Sequence, residues 1–278
     1  MRVPSFDIVG SVDPVSPVVL SVPHAGRDYP LALRAALRVP LDAVVTLEDR
    51  YADQLVRAAR GDETMLVARR ARAWIDLNRA ETERDPRIDD GARPMAVPFM
   101  SAKVRAGLGL VPRRAAPAGD IWKHRLAAED VAARIVADHR PYHAVLADTL
   151  RAARAKFGVA ILLDIHSMPP LKDGTGIVVG DRFGRSASSR FVARLEDVAR
   201  HRGVPVALNT PYPGGHILDR HGAPRRALHA IQIEIDRSRY LDAELRQPGG
   251  GFGATAALLR AMIDAVAQEA TPQLQAAE

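Results

Sequence analysis

Three short polar clusters in this sequence carry side chains able to bind a metal or move a proton, and each lies in or just after an apolar run. The first is Pro23-His24-Ala25-Gly26, after the run 18–22. A histidine in a turn that Gly26 makes permissive can aim its imidazole into a crevice. The second, Asp164-Ile165-His166-Ser167, ends the most apolar stretch of the chain. Residues two apart on a strand share a face, so Asp164 and His166 point the same way. An acidic group beside a ligand histidine is the usual arrangement that fixes its tautomer. The third runs from Ile231 to Asp236, where Gln232, Glu234 and Asp236 oppose Ile231, Ile233 and Ile235. Carboxylates on the face of a central strand are costly unless a metal, a cation or a task compensates them.

Each cluster also has a plainer explanation. A histidine at a strand end is often a satisfied structural group, Asp164 can cap the next turn, and Glu234 can sit on an edge strand facing water. Together they are harder to set aside, because two histidines and a carboxylate make a minimal zinc set, with water completing it and a separate glutamate as base. The ligands are scattered, and no HExxH spacing is present. Glu48-Asp49 opens an expected helix, either as helix-dipole stabilisation worth about 0.3–1 kcal/mol or as the carboxylate ligand. The stretch 72–79 places Arg72, Asp76, Asn78 and Arg79 around an expected strand. A guanidinium fork there suits a substrate carboxylate, or pairs internally with Asp76.

The elements that must position these groups follow from periodicity. Strands are expected at 18–22, 64–68, 73–77, 159–165, 176–180, 204–208 and 229–235, and helices at 30–37, 47–60, 126–157, 188–202 and 255–269. Pro141 is expected to split or kink the longest helix. Between 80 and 120 the pattern breaks down under Pro86, Pro94, Pro98, Pro112 and Pro117, which reads as a partly ordered active-site lid. Strands alternating with helices give an α/β fold with a mixed, mostly parallel central sheet and helices on both faces. The organisation expected is one catalytic domain over 1–270, with 80–120 as a lid insertion and 271–278 as a tail.

Composition narrows the chemistry. With 278 residues, 47% of them hydrophobic, the chain can bury a sizeable core. There is no cysteine, so disulfides, thiolate metal ligands and a cysteine nucleophile are excluded. Any metal is held by His, Asp or Glu. The net charge of +6 is spread as arginine through alanine-rich helices, which argues for a small anionic substrate and against nucleic acid. No export signal or apolar stretch of membrane-spanning length is visible, so the expected location is the cytoplasm. Oligomeric state is not legible.

The sequence resembles the N-formylglutamate amidohydrolase family. The matching motifs, in the family's order, are SVPHAGRDYP (21–30), TLEDRYADQL (46–55), WIDLNR (74–79), PYH (141–143), LLDIHSMP (162–169), VVGDRFGRSAS (178–188), NTPYPGGHI (209–217) and HAIQIEIDRSRY (229–240). The resemblance runs from about residue 18 to the C-terminal helix and implies kinship with the zinc carboxypeptidases and their fold.

It also implies roles. His24, Asp49 and His166 become the metal ligands, with Glu48 as the alternative carboxylate, and Glu234 becomes the general base. Asn78 and Arg79 hold a substrate carboxylate, with Arg72 as a second candidate or as the group polarising the scissile carbonyl. Gly214, Gly215 and His216 form a glycine-rich substrate loop, and Asp164 and Ser167 support the ligands from behind. The implied cofactor is Zn2+, with manganese, cobalt or nickel as other divalent choices. The implied reaction is metal-dependent hydrolysis of N-formyl-L-glutamate, or of a similar N-acyl acidic amino acid, in histidine breakdown. The alternatives are a deacylase or peptidase for another small N-acyl substrate, and a non-catalytic ligand- or nucleic-acid-binding protein on the same scaffold.

Overall fold

The apolar run expected at 159–165 becomes a nine-residue strand in which every residue is buried. The structure is a computed structural model that describes residues 4–93 and 100–271. In chain order its elements are β1 (Phe6–Val9), β2 (Val18–Val22), α1 (Leu31–Ala36), α2 (Leu41–Val44), α3 (Ala52–Ala59) and β3 (Thr64–Ala68). Then come α4 (Ala102–Arg105), β4 (Arg114–Ala115), β5 (Gly119–Asp120), α5 (Ala128–Arg134), α6 (Arg140–Phe157), β6 (Ala160–Met168) and β7 (Ile177–Gly180). The chain continues through α7 (Ser189–His201), β8 (Val206–Leu208), α8 (His216–His221), β9 (Leu228–Asp236) and α9 (Phe252–Ala270).

Seven strands form one sheet in the order β1-β3-β2-β6-β9-β7-β8, and β4 pairs with β5 in a small hairpin. β2 runs parallel to β6, β6 to β9 and β7 to β8, whereas β9 and β7 are antiparallel. This is the mixed, mostly parallel sheet expected of the sequence. β9 lies between β6 and β7 and is buried along all but its first residue. The edge-strand explanation of Glu234 therefore falls, since both faces of the strand are covered.

The chain divides into two compact units, and the boundary falls inside β1, β2 and β3. The second comprises Ile8–Ser21, Tyr51–Met65 and the described residues from Ala147 onward. There α9 packs against both α3 and α7. It presents Leu258, Leu259, Met262, Ile263 and Val266, spaced so that they share one stripe of the helix. Facing stripes come from Leu55 and Val56 in α3 and from Phe191 and Leu195 in α7. Each such buried side chain is worth about 1.5–3 kcal/mol by area removed from water.

The first unit comprises the described residues up to Asp7, then Val22–Arg50 and Leu66–Leu146. It is built largely of turns locked by ion pairs. Arg84 grips buried Asp89 through two bonds of 2.6 Å, and Arg87 and Arg113 converge on buried Asp85. Burial pushes the Asp85 carboxyl up, but the donors from Arg87 and Arg113 outweigh it and hold the pKa below the usual range. The irregular stretch expected at 80–120 is thus pinned by charge where it is described. Pro94 and Pro98 lie outside the described residues, as do 272–278 of the expected tail.

Two local expectations need correction. Residues 73–77 are turns, not a strand: Trp74 N bonds to Ala71 O, Asp76 N to Leu110 O and Arg79 N to Asp76 O, so local and loop partners take the donors a ladder would use. Glu48 and Asp49 do not open a helix. They lie in a non-helical link, with Glu48 extended, between a 3-10 turn (Val45–Leu47) and α3, whose start is displaced to Ala52 by the left-handed Tyr51 at φ 58°. The long helix breaks near Pro141, as expected, in a π turn (Ile135–His139) just ahead of the proline. The wider turn fits a ring that lacks an N–H and crowds the carbonyl four residues earlier. No helix of the described residues is long and apolar enough to cross a membrane.

One buried histidine gives a pH prediction. His229 in β9 packs 4.8 Å from the Phe191 ring, and its Nδ1 accepts from the Ser188 N–H at 3.2 Å. Burial, and then the charge of Arg190, push its pKa from 6.5 down to about 4. The unfolded chain therefore binds the extra proton first. Stability is full above about pH 6.5 and falls as the pH drops toward 4, by at most about 1.4 kcal/mol per pH unit from this one group. In His229→Asn, which keeps an acceptor but cannot be protonated, the loss in urea midpoint between pH 7 and pH 5 shrinks. An equal loss in both proteins would remove His229 as its source.

Candidate metal and substrate site

In the first unit the site is assembled around His24, in the turn after β2. Gly26 makes the turn possible by close approach, since a Cβ there would lie 2.0 Å from the Arg70 carbonyl oxygen. Backbone bonds between Asp28 and the Arg69–Ala71 segment lock the turn. Asp49 N donates to His24 O at 2.9 Å, which ties the two candidate ligands through the main chain.

The imidazole of His24 is held from both sides. Its Nε2 lies 2.7 Å from Asp76 Oδ1, and its Nδ1 lies 3.6 Å from Asp49 Oδ2. A carboxylate only accepts, so Nε2–H donates to Asp76. In the neutral ring that leaves the Nδ1 lone pair on the side of Asp49. Asp76 is fully buried and also receives Arg72 Nε at 2.8 Å and Asn78 N at 2.8 Å. Burial pushes its carboxyl up. Arg72, His24 and Arg79 more than reverse this and hold it well below the ordinary carboxylate range.

The neighbouring residues sort themselves by contact. Glu48 accepts from Tyr29 O–H and from Arg50 Nη1, so these two groups engage its oxygens, whereas Asp49 is the carboxylate set against His24. Burial pushes the Glu48 carboxyl up, and its donors compensate only in part. Burial and the Glu48 charge also push the Tyr29 phenol up. Arg79 is buried and gives two of its five N–H groups to carbonyls, Nε to Leu108 O at 2.8 Å and Nη1 to Asn78 O at 2.5 Å. Asn78 sits between Asp76 and Arg79, its backbone fixed by the Asp76 carboxylate.

In the second unit the site rests on three parallel strands. Ser21 is the register partner of Asp164, Asp164 of Gln232, and His166 of Glu234. Partners in register share a face, so a polar stripe crosses the middle of the sheet. Asp164 is fully buried and accepts from Ser21 Oγ at 2.7 Å and from His166 Nε2 at 2.9 Å. The argument used for His24 applies here too, and Nδ1 of His166 keeps its lone pair. Gln232 Nε2 donates to Glu234 Oε1 at 3.0 Å. Ser167, one residue on from His166, faces the opposite side and accepts from Arg237 Nε at 3.1 Å.

The glycine-rich segment leads into α8: Gly215 caps the helix and His216 is its first residue. Gly214 adopts φ +104°, where a Cβ would lie 2.3 Å from the Leu218 side chain, so the position is restricted to glycine. Arg182 braces this loop, its Nη1 on Gly214 O at 3.3 Å and its Nε on Asp219 at 2.7 Å.

Several supporting residues escaped the sequence reading: Asp76 as the acceptor for His24, Ser21 as a donor to Asp164, Tyr29 and Arg50 as donors to Glu48, and Gln232 as a donor to Glu234. Only Asp76 had a visible signal, its i,i+4 spacing from Arg72, which pointed to the ion pair but not to the histidine.

The N-formylglutamate amidohydrolase family model matches residues 16–241. N-formylglutamate deformylase from Pseudomonas aeruginosa is 30% identical over 239 residues, 82% of this chain and 83% of that protein. Its counterpart from Pseudomonas putida is 31% identical over 236 residues, 81% and 82% of the two chains. Among solved structures, N-formylglutamate amidohydrolase from Ralstonia eutropha JMP134 superposes with a TM-score of 0.84 at 29% identity, covering 96% of this chain and 98% of that one. A gene product of Agrobacterium tumefaciens shares the fold, with a TM-score of 0.71 at 18% identity over 96% of each chain. On the strength of a family match across most of its length, this chain belongs to the N-formylglutamate amidohydrolase family.

Proposed function

We propose that this protein hydrolyses the formamide bond of N-formyl-L-glutamate to formate and L-glutamate, with a divalent metal, zinc, held by His24, Asp49 and His166. Family membership supports the reaction. The observation that carries the metal is the paired arrangement of the two histidines: in each, a buried carboxylate takes Nε2–H and leaves Nδ1 as a ligand atom. Each of the three side chains is buried and offers one donor, and the two nitrogens and one oxygen suit zinc.

A bound zinc ion would lower the pKa of a water and polarise the scissile carbonyl. The chain's own residues do the rest. Glu234 takes a proton from the attacking water and passes it to the departing nitrogen. A C–O bond forms to the formyl carbon, the C–N bond breaks, and the amine leaves neutral before it is protonated in solution. Asn78 and Arg79 hold a substrate carboxylate and fix the amide in place. Arg72, oriented by its Nε bond to Asp76, donates to the developing oxyanion. The Gly214–His216 loop lines the substrate.

The test is formate release from N-formyl-L-glutamate by purified protein, measured after chelation and again after zinc is added back. Activity lost and then restored supports both reaction and metal. Chelator-resistant turnover would remove the metal from the reading. With zinc bound but no turnover, hydrolysis of N-acetyl or N-succinyl amino acids would replace the deformylase assignment with that of another deacylase.

A further inference from the structure

The PYH segment (141–143) and the π turn before it take no part in the chemistry above, yet they hold the loop that carries Asp76, Asn78 and Arg79. That loop is built of turns and has no strand ladder to fix it. The carbonyls of Trp74, Leu77 and Arg79 are held instead by one helical stretch within the first unit. His143 Nε2 lies 2.9 Å from Leu77 O and His139 Nε2 lies 2.8 Å from Arg79 O. A carbonyl only accepts, so each imidazole donates Nε2–H. The two acceptors flank Asn78. Both histidines are fully buried, and their rings pack 4.4 Å apart.

The same stretch grips the start of the loop. Arg134 Nη1 donates to Trp74 O at 3.1 Å, and its guanidinium lies 3.7 Å over the Trp74 ring. Trp74 Nε1 donates to Asp138 Oδ2 at 2.7 Å. Arg134 and Asp138 are one i,i+4 row, and His139 and His143 are the next. At about 100° per residue, a regular α-helix would set these rows on well-separated faces. The π turn (Ile135–His139) adds a residue to one turn and rotates the second row back toward the first, so that all four side chains reach one loop.

We propose that His139 and His143 are positioning residues, whose Nε2–H donors fix the carbonyls of Arg79 and Leu77 and thereby set Asn78 and Arg79 for the substrate carboxylate. This rests on the carboxylate-holding role given to those two residues above. A group that acts only through substrate binding moves KM and spares kcat.

The test compares His139→Leu and His143→Leu with His139→Gln and His143→Gln. The glutamine amide nitrogen reaches the place of Nε2 and keeps the donor, which leucine lacks. For N-formyl-L-glutamate, each leucine variant is expected to raise KM roughly tenfold, with kcat within about threefold and zinc content unchanged. Each glutamine variant is expected to return KM to within about threefold of wild type. Amide hydrogen exchange gives a readout that needs no substrate: the segment 76–80 exchanges faster in the leucine variants and regains protection in the glutamine ones. Should a leucine variant not fold, His→Asn replaces it, polar but too short to reach the carbonyl.

Glutamine variants as impaired as leucine, a joint fall in kcat and zinc content, or unchanged exchange would each overturn the proposal. If the wild-type protein does not act on N-formyl-L-glutamate, it is the functional reading that fails, and exchange alone decides the positioning role.

Discussion

Glu234→Gln is expected to lower kcat by roughly a hundred- to ten-thousandfold while leaving the fold and zinc stoichiometry unchanged, the range typical of losing a positioned acid–base group. The substitution is nearly isosteric and keeps a carbonyl oxygen that can accept from Gln232 Nε2, so the side chain has reason to hold its pose. What it loses is the ability to take a proton. Glu234 stands in register with His166 on the adjacent parallel strand, so its backbone is fixed by the ladder, not by its carboxyl group. Formate release, zinc content and the thermal midpoint should be measured on one preparation. Near-wild-type turnover would show that Glu234 is not the base. A loss of zinc with the loss of turnover would make it a ligand instead.

The fold was readable where a single periodicity ruled. The run 159–165 and the alternation of isoleucines with polar residues in 229–235 each allow one reading, and β6 and β9 follow. The segment 73–77 misled because Trp, Ile and Leu favour strands, whereas its conformation is dictated by what Asp76 and the carbonyls of Trp74, Leu77 and Arg79 bind: His24, Arg72, Arg134, His143 and His139. Apart from Arg72, four residues from Asp76, these partners come from distant parts of the chain, and local pattern cannot contain them.

The site was legible to the same depth. Asp164 beside His166 could be foreseen because both lie on one strand two residues apart, and the bond at 2.9 Å is a consequence of that spacing. The equivalent acceptor for His24 is 52 residues away, in a turn, and nothing near His24 announces it. Likewise the preference for Asp49 over Glu48 in the proposed site rests on Tyr29 and Arg50 engaging Glu48, which is a matter of tertiary packing. Residue types and their order single out candidate ligands; long-range hydrogen bonds decide tautomer and orientation.

That division makes Asp76 the residue through which the second large effect is expected. Asp76→Asn should weaken zinc binding ten- to a hundredfold, the usual cost of losing the carboxylate behind a ligand histidine. Asp76 now accepts three donors, His24 Nε2–H and Asn78 N–H at Oδ1 and Arg72 Nε–H at Oδ2. Asparagine has one acceptor oxygen and one NH2. If the NH2 faces Arg72, two donors oppose each other in a buried site. If it faces His24, the ring must accept at Nε2 and carry its proton on Nδ1, which removes the lone pair a metal would use. Either choice acts on the ligand without deleting it, so saturating zinc should recover part of the activity, whereas Glu234→Gln should not respond to added zinc. Asp76→Ala, by contrast, strips the partner from Arg72 and should be destabilised by about 3–5 kcal/mol. Competition for zinc against a chelator of known affinity reads the prediction directly, and an unaltered zinc Kd in Asp76→Asn would mean that His24 does not owe its ligand form to Asp76.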